Sequence, residues 1–409
     1  MKNINIAIYN TVENDLVYEN IFQYLKLISE KFNLFIIHEN LNCKFSFNKN
    51  CKKYTFDKSR INDQYFFESY SIRKKDLSDF LSQNKIDIVN FFNGDFTVYK
   101  IKNIFYLFDS IKNTKIKFYW NTASFLKNRF CIYENLYLDN QLVTVSYKSR
   151  LKSKINEKDR KFIDKYKIDY WDYKKKYSEV WKPKISKKSF KSKKFILHKI
   201  IKMFLKKNVN QFIDDESFDL KKPYILFLST KNRHWFNIYA NPKFTNPLKY
   251  LNTIEKSIPK NINLIIKPHP LDENIFKEIR LEKNSYLYNG KLKSILNDAE
   301  LIISTGSTSG LEALTLNKKI IYLGKNSYLG NIDKDFLPIT IVDNLNNLKN
   351  AILLCLKNKV QSDMQDKYLL SLLEHSYQWE YGTTILRKKG FVESNVTAIY
   401  EKVLRDFKK

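Results

Sequence analysis

Glycine and proline are scarce in this chain of 409 residues, which contains eight of each. Such low counts exclude a collagen-like, disordered or loop-dominated chain, because those classes depend on both residue types. Hydrophobic residues make up 43% of the sequence, which is ample for buried cores. A chain of this length ordinarily divides into two domains, so we expect a globular protein built from two of them.

Cysteine is also rare, and long hydrophobic runs are missing. The four cysteines show no CxxC spacing, which predicts free thiols in a reducing compartment and argues against a disulfide framework. No stretch offers the roughly 18 uncharged apolar residues of a transmembrane helix. The N-terminal apolar run is too short for a signal peptide. We therefore expect a cytoplasmic protein, held peripherally on the inner face of the cytoplasmic membrane.

Basic residues greatly outnumber acidic ones, giving a formal net charge of +29. The excess is concentrated between Lys174 and Lys207, where fourteen lysines accompany a single acid, Glu179. Blocks of this kind usually meet polyanions. Residues 194–207 have the spacing of a basic amphipathic helix, which suits an anionic membrane surface. A charged linker helix packed on one domain and a nucleic-acid contact are the alternative readings of this segment.

Apolar strands alternate with helical segments over most of the chain, which predicts parallel sheets covered by helices. We predict an N-terminal Rossmann-like domain over 1–165, a basic linker over 166–220, a second Rossmann-like domain over 221–358 and C-terminal helices over 359–409. The first domain has a predicted helix at Val17–Lys31. Its strands are predicted at Ile4–Tyr9, Asn33–His38, Ile86–Phe92, Lys115–Trp120 and Gln141–Val145.

The most informative stretch is 301–324, where an apolar strand, a turn of small residues, a short helix and a second strand follow one another. Small residues let an anion approach the backbone, and a helix start presents free N–H groups to it. Glu312, in the first helical turn, could accept both hydroxyls of a ribose. The stretch predicts a nucleotide-phosphate cradle whose ligands are Ser304, Thr305, Gly306, Ser307, Thr308, Ser309, Gly310 and Glu312.

A second signal is the sequence Lys267-Pro268-His269-Pro270, which ends another apolar strand. The two prolines stiffen the turn and would fix the imidazole at the carboxyl end of that strand, where ligands of open α/β sheets bind. We expect His269 to donate to a phosphate of the bound nucleotide or to support the departure of a leaving group from it. Lys267 would face the same crevice as the cradle.

Further candidates follow other strands. Ser229, Thr230, Lys231 and Arg233 come after the first strand of the second domain, where a cation could neutralise charge on a departing phosphate. Catalysis at such a site would also need a carboxylate as base or nucleophile, and Asp95 is the acid best placed for that role in the first domain. Glu13 and Asp15 are its rivals. No metal-binding motif is visible, so we expect chemistry that uses neither a metal ion nor a cofactor.

The residues named so far resemble those of the bacterial capsule polysaccharide synthesis proteins. The resemblance is carried by Lys267-Pro-His-Pro270, by the Ser-Gly-Leu-Glu-Ala-Leu core of the cradle and by Gly324-Lys325 and Tyr328. That family includes transferases that add Kdo from CMP-Kdo to the lipid anchor of capsules. The same two motifs are similar, more loosely, to polysialyltransferases and to CDP-glycerol glycerophosphotransferases.

The resemblance implies a GT-B fold, two facing Rossmann-like domains, and a cytidine nucleotide donor. The expected function is a glycosyltransferase of capsule or lipopolysaccharide synthesis, acting from a CMP-linked donor on a glycan or glycolipid acceptor. A CDP-glycerol or CDP-ribitol phosphotransferase is the nearest alternative. A non-catalytic scaffold that retains the fold is another. A nucleic-acid-binding protein is the alternative of a different class, but no DNA- or RNA-binding motif is present.

The basic segment leads to a test of membrane contact. We expect the full chain to sediment with vesicles of anionic lipid and a variant lacking 174–207 to stay in the supernatant, because the lysines supply the attraction. Vesicles of neutral lipid serve as the control. Unchanged sedimentation after the deletion would contradict membrane contact through this segment.

Overall fold

The computed structural model describes residues 4–10, 32–38, 52–55, 66–92, 111, 113–123, 129–134, 141–178, 212–213, 222–230, 242–269, 272–276, 279–305, 308–324 and 338–378. Two compact units make up the chain. The first consists of residues 1–146 and 371–409, and the second of residues 147–370. In the described part of the chain, no helix is both long and apolar enough to cross a membrane.

The first unit contains a seven-stranded sheet. Six of its strands precede the second unit in the chain: β1 Asn5–Asn10, β2 Asn33–His38, β3 Lys52–Thr55, β4 Ile88–Phe92, β5 Lys117–Ala123 and β6 Arg129–Glu134. Its described helices are α1, Phe66–Gln83, and α2, Gln141–Leu151, which runs across the boundary into the second unit. Strands β1 to β5 are parallel and adjacent in the order 3-2-1-4-5, which is the Rossmann order.

The second unit begins within α2 and continues with the long helix α3, Glu157–Ser178. Seven strands follow: β7 Phe212–Ile213, β8 Tyr224–Leu228, β9 Asn263–Lys267, β10 Ser285–Tyr288, β11 Leu301–Ser304, β12 Ile320–Leu323 and β13 Thr340–Val342. The helices between and after them are α4 Pro247–Ser257, α5 Glu273–Phe276, α6 Leu292–Asp298, α7 Thr308–Glu312, α8 Leu348–Lys357 and α9 Ser362–Glu374.

All strand pairs of the second sheet are parallel, in the order β7-β10-β9-β8-β11-β12-β13. Apart from the edge strand β7, this is the doubly wound order 3-2-1-4-5-6. The central strands are largely apolar, as is usual where helices cover both faces of a parallel sheet, and every residue of β8 is buried. The predicted α/β class with two Rossmann-like units is confirmed.

The last described strand returns the chain to the first unit. After α9 crosses from the second unit, β14, Ser376–Gln378, pairs antiparallel with β6, and β6 pairs antiparallel with β5. A helix was predicted in this part of the chain and α9 matches it, but β14 was not foreseen. The predicted helix Val17–Lys31 and the tail beyond 378 lie outside the described residues.

The prediction of a strand over Gln141–Val145 is wrong, because these residues begin α2. Val143, Thr144 and Tyr147 are buried while Val145 is 66% exposed, and this spacing marks one face of a helix. The Tyr147 ring also meets the edge of the Tyr368 ring at a centroid distance of 5.5 Å. A short apolar run rich in β-branched residues fits both structures, so tertiary packing decides between them.

The boundaries of the units differ from the domain bounds predicted from the sequence. The chain passes between units at 146/147 and at 370/371, whereas the sequence suggested 165/166 and 358/359. Helix α3 runs straight through the first of the predicted boundaries, so the predicted linker begins as a helix of the second unit. Residues 179–207, which hold most of the basic segment, lie outside the described residues.

A buried carboxylate, that of Asp366, holds α3 against α9 within the second unit. The Asp366 side chain on α9 is 3% exposed and pairs with Arg160 and with the Nζ atom of Lys167, the latter at 2.5 Å. Lys167 also donates to the side-chain oxygen of Asn317 at 2.6 Å. Because a buried carboxylate is stable only when it is paired, these contacts specify where α3 lies against α9 and against the segment that follows α7.

Replacement of Asp366 by alanine tests this anchor. We expect the free energy of unfolding of the second unit to fall by roughly 2–4 kcal/mol, because two cations lose their buried partner; the loss stays below that of a fully buried pair since Arg160 is 42% exposed. Denaturant unfolding measures the change. Asp363→Ala on the same helix is the matched control, expected to cost at most about 1 kcal/mol because Asp363 is 55% exposed. Equal losses in both variants would contradict the role assigned to Asp366.

Candidate functional site

The strand order of the second sheet reverses between β8 and β11, which lie side by side. In open α/β sheets the connections on either side of such a point leave in opposite directions, and ligands bind in the crevice at the carboxyl ends of these strands. Ser229 and Thr230 follow β8, and Thr305 follows β11. The topology therefore marks these residues as the floor of the candidate site.

A cluster of three hydroxyl groups, defined here as Thr230, Tyr250 and Thr305, closes that floor. The Oγ1 atom of Thr305 lies 3.1 Å from the Oγ1 atom of Thr230 and 3.1 Å from the hydroxyl oxygen of Tyr250. Thr305 is fully buried and Thr230 is 3% exposed. Burial raises the pKa of Tyr250, while hydrogen bonds to the two threonines act in the opposite direction. The phenol therefore stays protonated near neutral pH, and the three hydroxyls satisfy one another.

Local sequence places Tyr250 at this position. The side chain of Asn246 caps α4 by accepting a hydrogen bond from the N–H of Leu248 at 3.0 Å, and Pro247 occupies the first helical position. Tyr250 then falls within the first turn of the helix. Its ring packs edge-on against the rings of Phe227 and Phe244, at centroid distances of 6.1 and 5.3 Å. The cap and these rings together direct the hydroxyl toward Thr305.

Helix α7 makes a very close contact with strand β11. A Cβ atom added at Gly310 would lie 2.6 Å from the Oγ atom of Ser304 and 2.7 Å from its Cβ atom. Ser304 is fully buried, and its hydroxyl has no hydrogen-bond partner among the described residues. Ser304 and Gly310 thus form a close-packed seam between β11 and α7, and their predicted contact with a ligand stays a prediction.

The helix that starts with α7 continues as a 3₁₀ turn over Ala313–Leu316 and ends at Asn317. Asn317 adopts the left-handed conformation, with φ of 50°, and its N–H caps the turn. Glu312 lies where the two helical forms meet and is 6% exposed. It is buried beside Tyr170 of α3, and the pKa of the Tyr170 phenol is raised well above its usual value by burial and then by the Glu312 carboxylate.

His269 lies at the carboxyl end of β9, the neighbour of β8 on the side away from β11. The residue is half-buried, and its carbonyl oxygen accepts a hydrogen bond from the N–H of Asp272 at 2.8 Å, which forms the turn before α5. The predicted placement of the imidazole at a strand end of this sheet therefore agrees with the structure. One strand, β8, separates it from the cradle strand β11.

Lys267 is placed differently from the expectation. Its Nζ atom donates to the carbonyl oxygen of Gly290 at 3.0 Å and lies 5.3 Å from the centroid of the Tyr288 ring. Tyr288 and Gly290 are at the end of β10, on the far side of β9 from β8. The ammonium group is therefore directed toward β10, because the Gly290 carbonyl and the aromatic face stabilise it there, and not toward the cradle.

The remaining predicted residues divide into two groups. Ser229 is 5% exposed, Thr308 is the first residue of α7 and Ser309 is half-buried on the same helix. Five predicted residues lie outside the described part of the chain, namely Asp95, Lys231, Arg233, Gly306 and Ser307. Their proposed roles stay predictions. No group of histidine, cysteine and acidic side chains suited to a metal ion occurs within the described ranges.

Sequence reasoning missed Tyr170, Trp171, Tyr250 and Thr315. Each is buried, and each donates to or approaches a residue of the cradle. Only the position of Tyr250 could have been found from the sequence, because Asn246-Pro247 marks the start of α4 and Tyr250 follows in its first turn. The other three make contacts between segments far apart in the chain, and no local pattern reports such contacts.

The comparison with protein families gives one match that covers this site. Residues 134–332 match the family described as "Capsule polysaccharide biosynthesis protein". The matched segment begins at the end of β6, includes α3 and extends past β12, so it contains both the cradle and the His269 turn. The resemblance inferred from the two motifs is therefore confirmed. No curated protein sequence matches the chain.

Solved structures similar to the chain are distant in sequence. The β-Kdo 2,7-transferase of Thermosulfurimonas dismutans KpsC has 10% identity and a TM-score of 0.44, with 91% of each chain covered. The β-Kdo 2,4-transferase of the same protein has 11% identity and a TM-score of 0.40, covering 86% of this chain and 90% of that one. Sucrose-phosphate synthase of Thermosynechococcus elongatus has 10% identity and a TM-score of 0.34, covering 99% and 100%.

The seam between Ser304 and Gly310 leads to a stability prediction. We expect Gly310→Ala to lower the free energy of unfolding by roughly 1–3 kcal/mol, because the added methyl group overlaps a fully buried side chain. The double variant Ser304→Gly/Gly310→Ala restores the space and should regain part of that loss. Denaturant unfolding of the single and double variants measures both changes in the free energy of unfolding. A Gly310→Ala protein as stable as the wild type would show that the seam is not close-packed.

Proposed function

We propose that this chain, whose residues 134–332 match the capsule polysaccharide biosynthesis family, is a glycosyltransferase that transfers a sugar from a CMP-linked donor to a glycan or glycolipid of the bacterial surface. The observation that carries the proposal is the arrangement at the strand-order reversal of the second unit. There the His269 turn, the hydroxyl cluster and the start of α7 end three adjacent strands, β9, β8 and β11.

The donor nucleotide would lie over the carboxyl ends of these strands. The hydroxyl cluster supplies a rigid floor, because its members are buried and bonded to one another. The backbone N–H groups at the start of α7 would then meet the phosphate, as helix starts do for anions. Glu312, four residues further along, would accept the ribose hydroxyls. This order of contacts fits a nucleoside monophosphate whose sugar substituent extends away from the cradle.

The chemistry of transfer requires the bond between the anomeric carbon and the donor phosphate to break while the acceptor hydroxyl attacks that carbon. Negative charge develops on the leaving phosphate oxygen, and an imidazole near neutral pH can donate to it. We assign that role to His269. The acceptor proton passes to a carboxylate, for which Asp95 stays the candidate. Exclusion of water from the site would favour transfer to the acceptor over hydrolysis.

The basic segment 174–207 would hold the enzyme near its acceptor. Surface glycans are assembled on lipid carriers or as acidic polymers, and both are anionic. Fourteen lysines in this segment would attract either surface, and the attraction would fall with rising salt. Peripheral attachment to the inner face of the cytoplasmic membrane is therefore part of the proposal.

A thermal-shift screen with CMP, CDP, UMP, UDP, GDP and ADP tests the donor site. We expect stabilisation by the cytidine nucleotides, since a ligand at about 100 times its Kd adds roughly 2.7 kcal/mol to the stability of the folded state. His269→Ala should weaken CMP binding about ten- to a hundred-fold, because a hydrogen bond to a charged phosphate contributes about 1.5–3 kcal/mol. His375→Ala, which changes a half-buried histidine of the other unit, is the matched control.

The screen, together with assays of donor turnover and of RNA binding, separates the alternatives. A preference for UDP or GDP would keep the glycosyltransferase and overturn the cytidine donor. Slow release of CMP from CDP-glycerol, with none from CMP-linked sugars, would indicate the phosphotransferase. A nucleotide that binds with no turnover of any donor would indicate a scaffold. Absence of any shift, together with salt-sensitive binding of RNA, would favour the nucleic-acid-binding protein.

A further inference from the structure

The outer face of α8 exposes two adjacent leucines. Leu353 is 48% exposed and Leu354 is 58% exposed, although the opposite face of the helix is anchored in the core by Ile352. Lys349 and Lys357 lie four residues before and after Leu353, so the three side chains form one row along the helix. Exposed leucines flanked by lysines suit a helix that lies in the surface of a membrane.

A cavity of about 460 Å³ adjoins these leucines, and Leu354 is part of its lining. It lies at the amino ends of β12 and β13, beside the end of α8 and the turn that follows. Its apolar lining residues are Ile320, Pro338, Ile339, Ile341, Leu354 and Val360. Of its described lining residues, Lys319 and Lys359 carry charge and none is acidic. An apolar wall beside a net positive charge matches an anionic amphiphile.

Hydrogen bonds hold the walls of this cavity in place. The Nζ atom of Lys319 donates to the carbonyl oxygen of Leu356 at 3.1 Å, which connects the start of β12 to the end of α8. The side-chain amide of Gln365, on α9, donates to the carbonyl oxygens of Lys318 and Pro338 at 2.8 and 3.1 Å. The cavity is therefore preformed, and a ligand does not have to order it.

The surface around the cavity is basic as well. Between Asn344 and Ser362 the chain contains three lysines, Lys349, Lys357 and Lys359, and no acidic residue. All three lysines are exposed. Their attraction to an anionic surface acts over about one Debye length, so it is strongest where the leucines also meet that surface. A water-soluble anion would use the lysines and leave the leucines in water, whereas an anionic bilayer uses both.

We propose that the outer face of α8 and the adjoining cavity form a docking surface for a bilayer of anionic lipid. Leu353 and Leu354 enter the acyl region, the three exposed lysines pair with headgroups, and the cavity takes one headgroup. The proposal rests on the peripheral membrane attachment included in the proposed function and names a structured surface for it. The cavity lies at the amino ends of its strands and the donor site at the carboxyl ends, so docking leaves the donor site open.

The test follows the reaction of Cys355 with N-ethylmaleimide in the full chain, by mass spectrometry of the peptide that contains it. Cys355 is a free thiol that lines the cavity, so its alkylation reports on the docking surface and not on the basic segment. Phosphatidylglycerol vesicles at about ten times the lipid concentration of half-maximal binding should slow the alkylation about ten-fold, by mass action. Phosphatidylcholine vesicles, which are neutral, are the control and should leave the rate unchanged.

Variants separate the leucines from the general charge of the chain. We expect Leu353→Gln/Leu354→Gln to weaken binding to the anionic vesicles about ten-fold or more, because two apolar side chains no longer leave water. Val145→Gln is the matched control, since Val145 is 66% exposed on α2 and far from α8 in the chain. An unchanged unfolding temperature shows that each variant is folded. Lys357→Gln/Lys359→Gln, expected to lose about ten-fold as well, tests the same surface if the leucine variant does not fold.

Four outcomes would overturn the docking surface. Vesicles that bind the chain but leave the alkylation of Cys355 unchanged would show attachment through another segment. Equal vesicle binding by wild type and both double variants would lead to the same conclusion. Protection by soluble glycerol 3-phosphate as strong as that by vesicles would indicate a site for a free anion. Slower alkylation at higher protein concentration without lipid would indicate a second copy of the chain on this face.

Failure of the proposed function gives a different result from failure of the docking surface. Absence of any CMP-induced thermal shift, together with a Cys355 that anionic vesicles protect, would overturn the donor site and support the docking surface. A normal CMP shift with an unprotected Cys355 would do the reverse.

Discussion

The reversal of strand order between β8 and β11 is the constraint on which the candidate site depends. Because these neighbours send their connections in opposite directions, a crevice must form at their carboxyl ends. The hydroxyl cluster closes the bottom of that crevice, and its members use their hydrogen-bonding capacity on one another. In the proposed function, the donor phosphate would meet the backbone N–H groups at the start of α7 and His269. The row of hydroxylated residues after β11 thus has two tasks: its first members build the floor, and the later ones begin the helix.

Helix α3 connects the folding of the second unit to its proposed chemistry. Its cations Arg160 and Lys167 pair with the buried Asp366, and further along the helix Trp171 donates to Thr315, whose hydroxyl donates to the Glu312 carbonyl oxygen. Both sets of contacts depend on α3 lying in one orientation. Buried polar contacts of this kind are stable only when every partner is present, so they favour a single arrangement of the cradle. The family match from residue 134 onward includes α3, which agrees with its membership of the site.

Local patterns predicted many elements well, and the exceptions have identifiable causes. The bounds of β2 agree with the predicted strand Asn33–His38, since an apolar run with clear ends determines them. Helix α2 was taken for a strand because Val143, Thr144 and Val145 are β-branched, and the helical face is shown only by the pattern of burial, including that of Tyr147 against Tyr368. The edge strands β7 and β14 have two and three residues, which is too few for a periodic signal.

The sequence by itself determined the class of the fold, the cradle after one strand and the histidine after another. These features are local, because small residues, prolines and apolar runs act on their immediate neighbours in the chain. Only the tertiary structure decided that β8 separates β9 from β11, that Lys267 is directed toward Gly290, and that Trp171 bonds Thr315 across 144 positions of sequence. Such contacts follow from how helices and sheets bury their surfaces together, and that free energy depends on the whole unit and not on any one segment of it.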